Sequence, residues 1–233
     1  MANKRLLLIF IMVFSFSCEE LQNVVGVPGA GVSDAMIASG LRQALDFGID
    51  KQVSKLTRKD GYYKNQLVKI LLPQELQKVD KTLRDIGLSN LADEGLKLLN
   101  RAAEDAVKEA TPIFVEAVKG ITFADAKNIL LGPDNSATNY LRRKTNSALY
   151  HEFNPIIQSS FARVGADQIW SSIIDKYNSI PFVNKVNPDL TDYVTREALK
   201  GVYKMIAVEE KQIRTKISSR TTDLLRKVFV LQD

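Results

Sequence analysis

Acidic side chains occur as adjacent pairs at Glu104-Asp105 and at Glu209-Glu210. Paired carboxylates are the usual acid and base of enzymes that hydrolyse glycosidic bonds. Such a pair works only at a set separation in space, which the linear sequence does not supply, so these four carboxylates stay unassigned. The only imidazole is His151, and no serine lies in a Gly-x-Ser-x-Gly turn. We therefore name no catalytic residue.

The sequence contains one cysteine, Cys18, and one histidine, His151. A structural zinc site takes about four Cys or His ligands, so this chain cannot build one alone, and we predict no metal and no cofactor. A single cysteine also excludes a disulfide within the monomer. These counts leave Cys18 with some role other than structural metal or disulfide chemistry.

The first seventeen residues predict a signal peptide, residues 1–17. Lys4 and Arg5 precede an eleven-residue, mostly apolar run over Leu6–Phe16, and Glu19 follows soon afterwards. A helix that spans a membrane needs about 20 apolar residues, so this run is too short for that purpose. The pattern is typical of export.

Cys18 follows the small residue Ser17, and this junction resembles a bacterial lipoprotein signal in which the cysteine is lipidated. Ser15 stands where leucine is usual, so the match to the lipoprotein signal is a loose one. An aspartate directly after the cysteine resembles an inner-membrane retention signal, but this position is Glu19. The sequence therefore favours the outer membrane, on its periplasmic face or at the cell surface. An ordinary secretory peptide that leaves a free thiol is the alternative. Glycines and Pro28 make residues 18–32 a flexible tether.

Residues 33–233 have a helical pattern almost throughout. With 45% hydrophobic and 25% charged residues, the chain has globular composition, and we predict a single all-α domain, an irregular bundle of about nine to ten helices. The segment 67–72 looks strand-like but has no obvious partner, and a break is expected at Thr111-Pro112. The predicted helices are 34–56, 73–86, 89–110 with a continuation over 112–118, 122–131, 134–143, 147–153, 155–164, 167–177, 191–217 and 221–229.

Positive charge is concentrated near the C-terminus. Between Arg196 and Lys227 the sequence has nine basic and four acidic residues. A basic face there could meet anionic lipid headgroups, lipopolysaccharide phosphates or an acidic protein. The alternative is an ordinary solvated helix face. No recognised nucleic-acid-binding module is present, so nucleic acid is not a predicted partner.

Several blocks of sequence together resemble the bacterial domain of unknown function 4197 family. The resemblance covers nearly all of the chain after the tether and implies an exported, helical protein, but it supplies no catalytic residue to transfer. The blocks are GLRQAL (Gly40–Leu45), NRAAEDAVKEATPIF (Asn100–Phe114), ILLGPDNSATNYLR (Ile129–Arg142), DYVTREALKGVY (Asp192–Tyr203), IAVEEKQIR (Ile206–Arg214) and RTTDLLRKVF (Arg220–Phe229).

The same blocks nominate polar residues that helix packing alone does not require. Some lie on adjacent turns of one helix, and others stand at helix starts, where free N–H groups can be capped or can bind an anion. If they meet in space, they form one buried or half-buried polar network. The candidates are Asn100, Arg101, Glu104, Asp134, Asn135, Thr138, Arg142, Glu210, Arg214, Arg220 and Asp223.

These observations favour a non-enzymatic, lipid-anchored helical protein of the outer membrane that binds an envelope protein or an anionic envelope component. One alternative is an envelope-acting hydrolase with a cleft built around Glu104, Asp134, Arg142 and Glu210. Another is a carrier of a hydrophobic ligand, which requires an apolar cavity between helices. The arrangement of the polar blocks in space distinguishes these hypotheses.

Overall fold

The computed structural model of the chain describes residues 31–85, 87, 89–163, 166–179, 181–182, 185 and 189–233. The predicted signal peptide, Cys18 and the tether up to residue 30 lie outside these residues. The described part contains nine α-helices, three single turns of 3-10 helix and no strand, which confirms the all-α prediction. The helices are α1 (Asp34–Leu56), α2 (Gln74–Asp85), α3 (Ser89–Ala106), α4 (Ala110–Lys119), α5 (Phe123–Leu130), α6 (Ser136–Arg163), α7 (Ala166–Asn178), α8 (Thr191–Thr215) and α9 (Asp223–Phe229).

Local sequence signals set several helix ends. The Ser33 side chain accepts a hydrogen bond from the Met36 amide (3.2 Å) and starts α1. At the start of α5, the Thr122 hydroxyl accepts from the Asp125 amide while the Asp125 carboxylate accepts from the Thr122 amide. This reciprocal pair satisfies two amides that a helix start leaves free. Both starts agree with the sequence prediction.

Helices α1, α6 and α8 form the centre of the bundle. Helix α1 packs against α4, α5, α8 and α9, and α6 packs against α3, α4 and α8. Helices α6 and α8 run antiparallel, because Thr138 pairs with Glu210 at one end and Asn154 with Thr195 at the other. One hydrophobic core lies between these helices.

Tyr62 shows how closely the loop after α1 packs on α8. Its ring is fully buried, and its hydroxyl donates to the Ala198 carbonyl at 2.7 Å. A Cβ atom at Gly201 would lie 2.6 Å from the ring, so only glycine permits this contact. Burial raises the pKa of the Tyr62 hydroxyl well above its usual range, and the Glu104 carboxylate raises it further. The hydroxyl therefore stays protonated and acts as a donor.

The predicted separate helices 134–143, 147–153 and 155–164 are wrong, because the structure joins them into the single 28-residue helix α6. Pro155 lies inside this helix at an exposed position. A proline there removes one backbone hydrogen bond and normally weakens a helix. Burial of Leu149, Phe153 and Ile157 on the inward face holds the helix together through this point.

The strand-like segment 67–72 forms no strand. Residues 67 and 68 belong to a turn, and beyond it the Ile70 amide donates to Asn100 Oδ1 at 2.8 Å while Asn100 Nδ2 donates to the Ile70 carbonyl at 2.9 Å. The side-chain amide of Asn100 thus supplies the donor and acceptor that a neighbouring strand would supply. The apolar pattern was correct, but its partner is a helix side chain.

The break expected at Thr111-Pro112 occurs slightly earlier, at the 3-10 turn Val107–Glu109. Helix α4 then begins at Ala110, which places Pro112 in its first turn. The first amides of a helix have no partner within the helix, so proline is tolerated there.

Candidate functional site

Glu210 of α8 lies buried against the start of α6. Its carboxylate accepts hydrogen bonds from the amides of Ala137 (3.0 Å) and Thr138 (2.8 Å) and from the Thr138 hydroxyl (2.7 Å). These amides belong to the first turn of α6, where a negative charge is stabilised by the helix dipole. The anion that this helix start could bind is therefore supplied by the chain itself.

Arg214, one turn after Glu210, caps a second helix. Its guanidinium donates to Glu210 Oε1 through Nε (3.0 Å) and Nη2 (2.9 Å), and to the carbonyls of Ile129 (2.8 Å) and Leu130 (3.0 Å). Those carbonyls end α5, where positive charge is favourable. The buried Glu210–Arg214 pair thus joins the end of α5 to the start of α6.

Arg220 continues this network at the end of α8. It is buried and donates to the carbonyls of Ile213 (3.1 Å) and Arg214 (2.9 Å). Its two terminal nitrogens also bind the Asp233 carboxylate at 2.7 and 2.6 Å. We call Thr138, Glu210, Arg214, Arg220 and Asp233 the capping network.

The capping network predicts an acid-dependent change in stability. Hydrogen bonding to Arg220 lowers the pKa of the Asp233 carboxyl below its ordinary value, which is about 3.9 in an unfolded chain. Its contribution is therefore complete above about pH 4 and is lost as the pH falls through the lower folded-state pKa. We expect Asp233→Asn to be less stable at neutral pH and to lose less stability on acidification, as measured by urea unfolding across this range. An unchanged acid slope in the variant would contradict the assignment.

A second polar cluster holds the loop that follows α1. Glu104 of α3 is buried and accepts hydrogen bonds from the amides of Tyr62 (3.0 Å), Tyr63 (3.3 Å) and Asp60 (3.3 Å). Arg101 donates to Glu104 and, at 2.5 Å, to the Asp60 carboxylate. With Asn100 on Ile70, these residues form the loop clamp: Asp60, Asn100, Arg101 and Glu104.

The remaining candidates join neither group. Asp134 and Asn135 are exposed just before α6. Arg142 is exposed, with its guanidinium 5.2 Å from the centre of the Tyr203 ring. Asp223 is exposed and pairs with Arg226 at 2.6 Å.

The condition for one polar network, that the candidate residues meet in space, is therefore not fulfilled, and Glu104, Asp134, Arg142 and Glu210 do not line a common cleft. Glu104 binds the loop after α1, whereas Glu210 binds the start of α6. The physical reason is that each of these two buried carboxylates binds a nearby set of free backbone amides, Glu104 those of the loop after α1 and Glu210 those at the start of α6.

Glu209 is a buried acid that the candidate set did not contain. Its carboxylate accepts from Lys51 Nζ at 2.5 Å and from Gln52 Nε2 at 2.6 Å, which ties α8 to α1. The sequence does contain a signal that Glu209 faces the interior. Glu209 and Glu210 lie between Ile206 and Ile213 at helical spacing, which places them on the inward face of α8.

The space inside the bundle between α1, α8 and α9 is too small for a hydrophobic ligand. The space between α1, α8 and α9, lined by Leu41, Leu45 and Ile206, is about 20 Å³, which is far below the volume of a lipid chain. A larger concavity of about 550 Å³ is an open groove between α4 and α6.

Among the described residues, no group of three or more His, Cys, Asp or Glu could hold a metal ion. No helix in the same part of the chain is long and apolar enough to cross a membrane.

A family model described as protein of unknown function (DUF4197) matches residues 31–230. The matched range contains all nine helices, the loop clamp and the capping network apart from Asp233. No curated protein and no solved structure matches the chain. Because the match extends over most of the sequence, the chain belongs to the DUF4197 family.

Proposed function

We propose that the chain is a non-enzymatic, lipid-anchored protein of the bacterial outer membrane whose helical domain binds a protein of the cell envelope. The full hydrogen bonding of the two buried carboxylates nominated for a cleft, Glu104 and Glu210, carries this proposal. Glu104 accepts from three amides and Arg101, and Glu210 accepts from two amides, a hydroxyl and Arg214. A carboxylate has about four acceptor positions, so little capacity remains for a substrate proton.

The anchor rests on the sequence before α1. A short basic and apolar segment precedes Cys18, and residues 18–32 connect that cysteine to Ser33, which caps α1. A connection of this length reaches at most about 50 Å when it is fully extended. Such a tether allows the domain to meet a partner without leaving the membrane surface.

The partner site is assigned to the open groove between α4 and α6. Ile113 and Ala117 form one wall, and Tyr140 and Ala148 form the other. Lys144 stands at the same groove and makes no ion pair with a described residue, whereas Glu116 is paired with Lys119. An amphipathic helix with an apolar face and one acidic residue matches this surface.

Metabolic labelling with a clickable fatty acid tests the anchor. The wild-type chain is expected to incorporate the label, and Cys18→Ala is expected to lose it while its signal segment stays intact. Equal incorporation in the two chains would refute lipidation at Cys18.

Photo-crosslinking in intact cells tests the partner site. A photoreactive residue in place of Ala148, which lines the groove, is expected to give a discrete adduct with another protein. The matched control is Asn146, which is also exposed on α6 but points away from the groove by helical spacing. Ile113→Glu should abolish the adduct formed from position 148. Equal adducts from both positions, or monomer alone, would contradict the proposal.

A further inference from the structure

A groove between α1 and the turn that follows α8 combines an aromatic side chain with several hydroxyl groups. Its volume is about 450 Å³. Phe47 of α1 lines the groove and is 48% exposed. Ser218, Ser219 and Thr221 also line it, and none of their hydroxyls binds another described residue. The groove therefore offers a ligand both an apolar surface and hydroxyl groups.

Glu209 is the buried carboxylate of this groove, and it keeps a hydrogen-bonding capacity that Glu104 and Glu210 do not have. Among the described residues, its donors are Lys51 Nζ at 2.5 Å and Gln52 Nε2 at 2.6 Å. A carboxylate has about four acceptor positions, so about two remain. Gln52 Oε1, on the side chain that binds Glu209, is also buried and has no donor in the described part of the chain. Because buried acceptors normally have donors, Glu209 favours a ligand that donates hydrogen bonds.

The groove carries no net charge, although one of its walls belongs to the basic C-terminal segment. Arg214 and Arg220 of that segment are used in the capping network. Lys51 and Glu209 are the charged side chains among the described residues that line the groove, and they pair with each other. An ionic ligand would gain little here, whereas a neutral ligand with hydroxyl groups fits.

These features match the chemistry of a sugar ring. One face of a pyranose ring consists of C–H groups, and its edge carries hydroxyls that both donate and accept hydrogen bonds. The C–H face fits the apolar surface of Phe47, and the hydroxyl edge fits a carboxylate together with serine and threonine hydroxyls. A few placed polar groups beside apolar and aromatic side chains are typical of a small-molecule site.

We propose that this groove binds a neutral saccharide. Phe47 packs against the C–H face of one sugar ring, and Glu209 accepts hydrogen bonds from the hydroxyls of that ring. The hydroxyls of Ser218, Ser219 and Thr221 bind the rest of the ring edge. The site goes beyond the partner site of the proposed function, because the two grooves share no lining residue in the described part of the chain. Sugars with N-acetyl groups and plain hexoses share this chemistry.

A titration followed by nuclear magnetic resonance tests the saccharide site. The sample is the isotope-labelled full chain with Cys18→Ser, purified without lipid. It is titrated separately with N,N′-diacetylchitobiose, with cellobiose and with inorganic phosphate. At least one disaccharide is expected to shift the amide signals of Ser218, Ser219 and Thr221 in a saturable way, whereas phosphate is expected to leave them unchanged. The disaccharide that binds more tightly identifies the type of sugar.

Two variants test the proposed contacts. Glu209→Gln is expected to raise the dissociation constant about tenfold, because a hydrogen bond to a charged group is lost. Phe47→Ala should weaken binding by a similar factor, and it keeps the test valid if Glu209→Gln fails to fold, because Phe47 lies on the surface. The matched control is Leu131→Ala. Leu131 is 58% exposed at the end of α5, outside the groove, so its loss should leave the titration unchanged.

The absence of a saturable shift with either disaccharide would overturn the inference, and so would phosphate shifts equal to those of a disaccharide. Unchanged binding in Phe47→Ala would contradict the proposed contact and the site with it. Shifts centred on Ala148 instead of Ser218 would place the sugar in the groove between α4 and α6 and would also overturn the inference. Because the sample contains neither lipid nor an envelope protein, these results are separate from the labelling of Cys18 and from the crosslinking at position 148.

Discussion

Replacing Glu210 with alanine is expected to lower the free energy of unfolding by about 3–5 kcal/mol, because the change leaves the buried Arg214 guanidinium without its counter-charge. The same change removes the acceptor for the Ala137 and Thr138 amides at the start of α6. The measurement is urea unfolding at neutral pH, followed by far-ultraviolet circular dichroism. We expect this to be the largest effect of any single carboxylate in the domain.

Glu116→Ala is the matched control for this measurement. Glu116 also pairs with a cation, Lys119 at 2.8 Å, but both side chains are exposed, so its loss should cost less than about 1 kcal/mol. The double variant Glu210→Leu/Arg214→Met should be more stable than Glu210→Ala, because it leaves no buried charge unpaired. If Glu210→Ala costs no more than Glu116→Ala, the capping network does not stabilise the fold.

Replacing Glu104 with alanine is expected to cost about 2–4 kcal/mol and to act mainly on the loop after α1. Three amides lose their acceptor, and a buried amide without a partner costs about 1–3 kcal/mol. Arg101 keeps its ion pair with Asp60, so no isolated charge remains, which makes the cost smaller than at Glu210. Limited trypsin digestion should show faster cleavage after Arg58 and Lys59.

Asp105→Ala provides the comparison for the loop clamp. Asp105 is the next residue on α3, is partly exposed and pairs with Lys108 at 2.7 Å. Its replacement should leave both the unfolding free energy and the trypsin pattern close to those of the unaltered chain. Similar digestion of the Glu104 and Asp105 variants would show that Glu104 does not hold the loop.

The contrast between Glu210 and Glu104 shows how far residue type predicts a role. Both are glutamates on mostly helical segments with nearby arginines, and both were nominated as polar residues that packing alone does not require. The backbone amides that they bind lie 41 to 73 positions away in sequence. No local pattern specifies such partners, so the sequence predicted the importance of the residues but not the two separate groups they form.

Periodicity and capping residues alone determined the helical fold class and the bounds of α1, because each depends on contacts within a few residues. The continuity of α6 through Pro155 and the helical partner of the segment 67–72 were decided by the tertiary structure. In both cases burial against distant elements outweighs the local preference of the backbone. The same reason explains why the spacing of the polar residues did not reveal what they bind. Carboxylates and arginines that could have formed a cleft instead hydrogen-bond to free amides and carbonyls, which only the folded chain brings within reach.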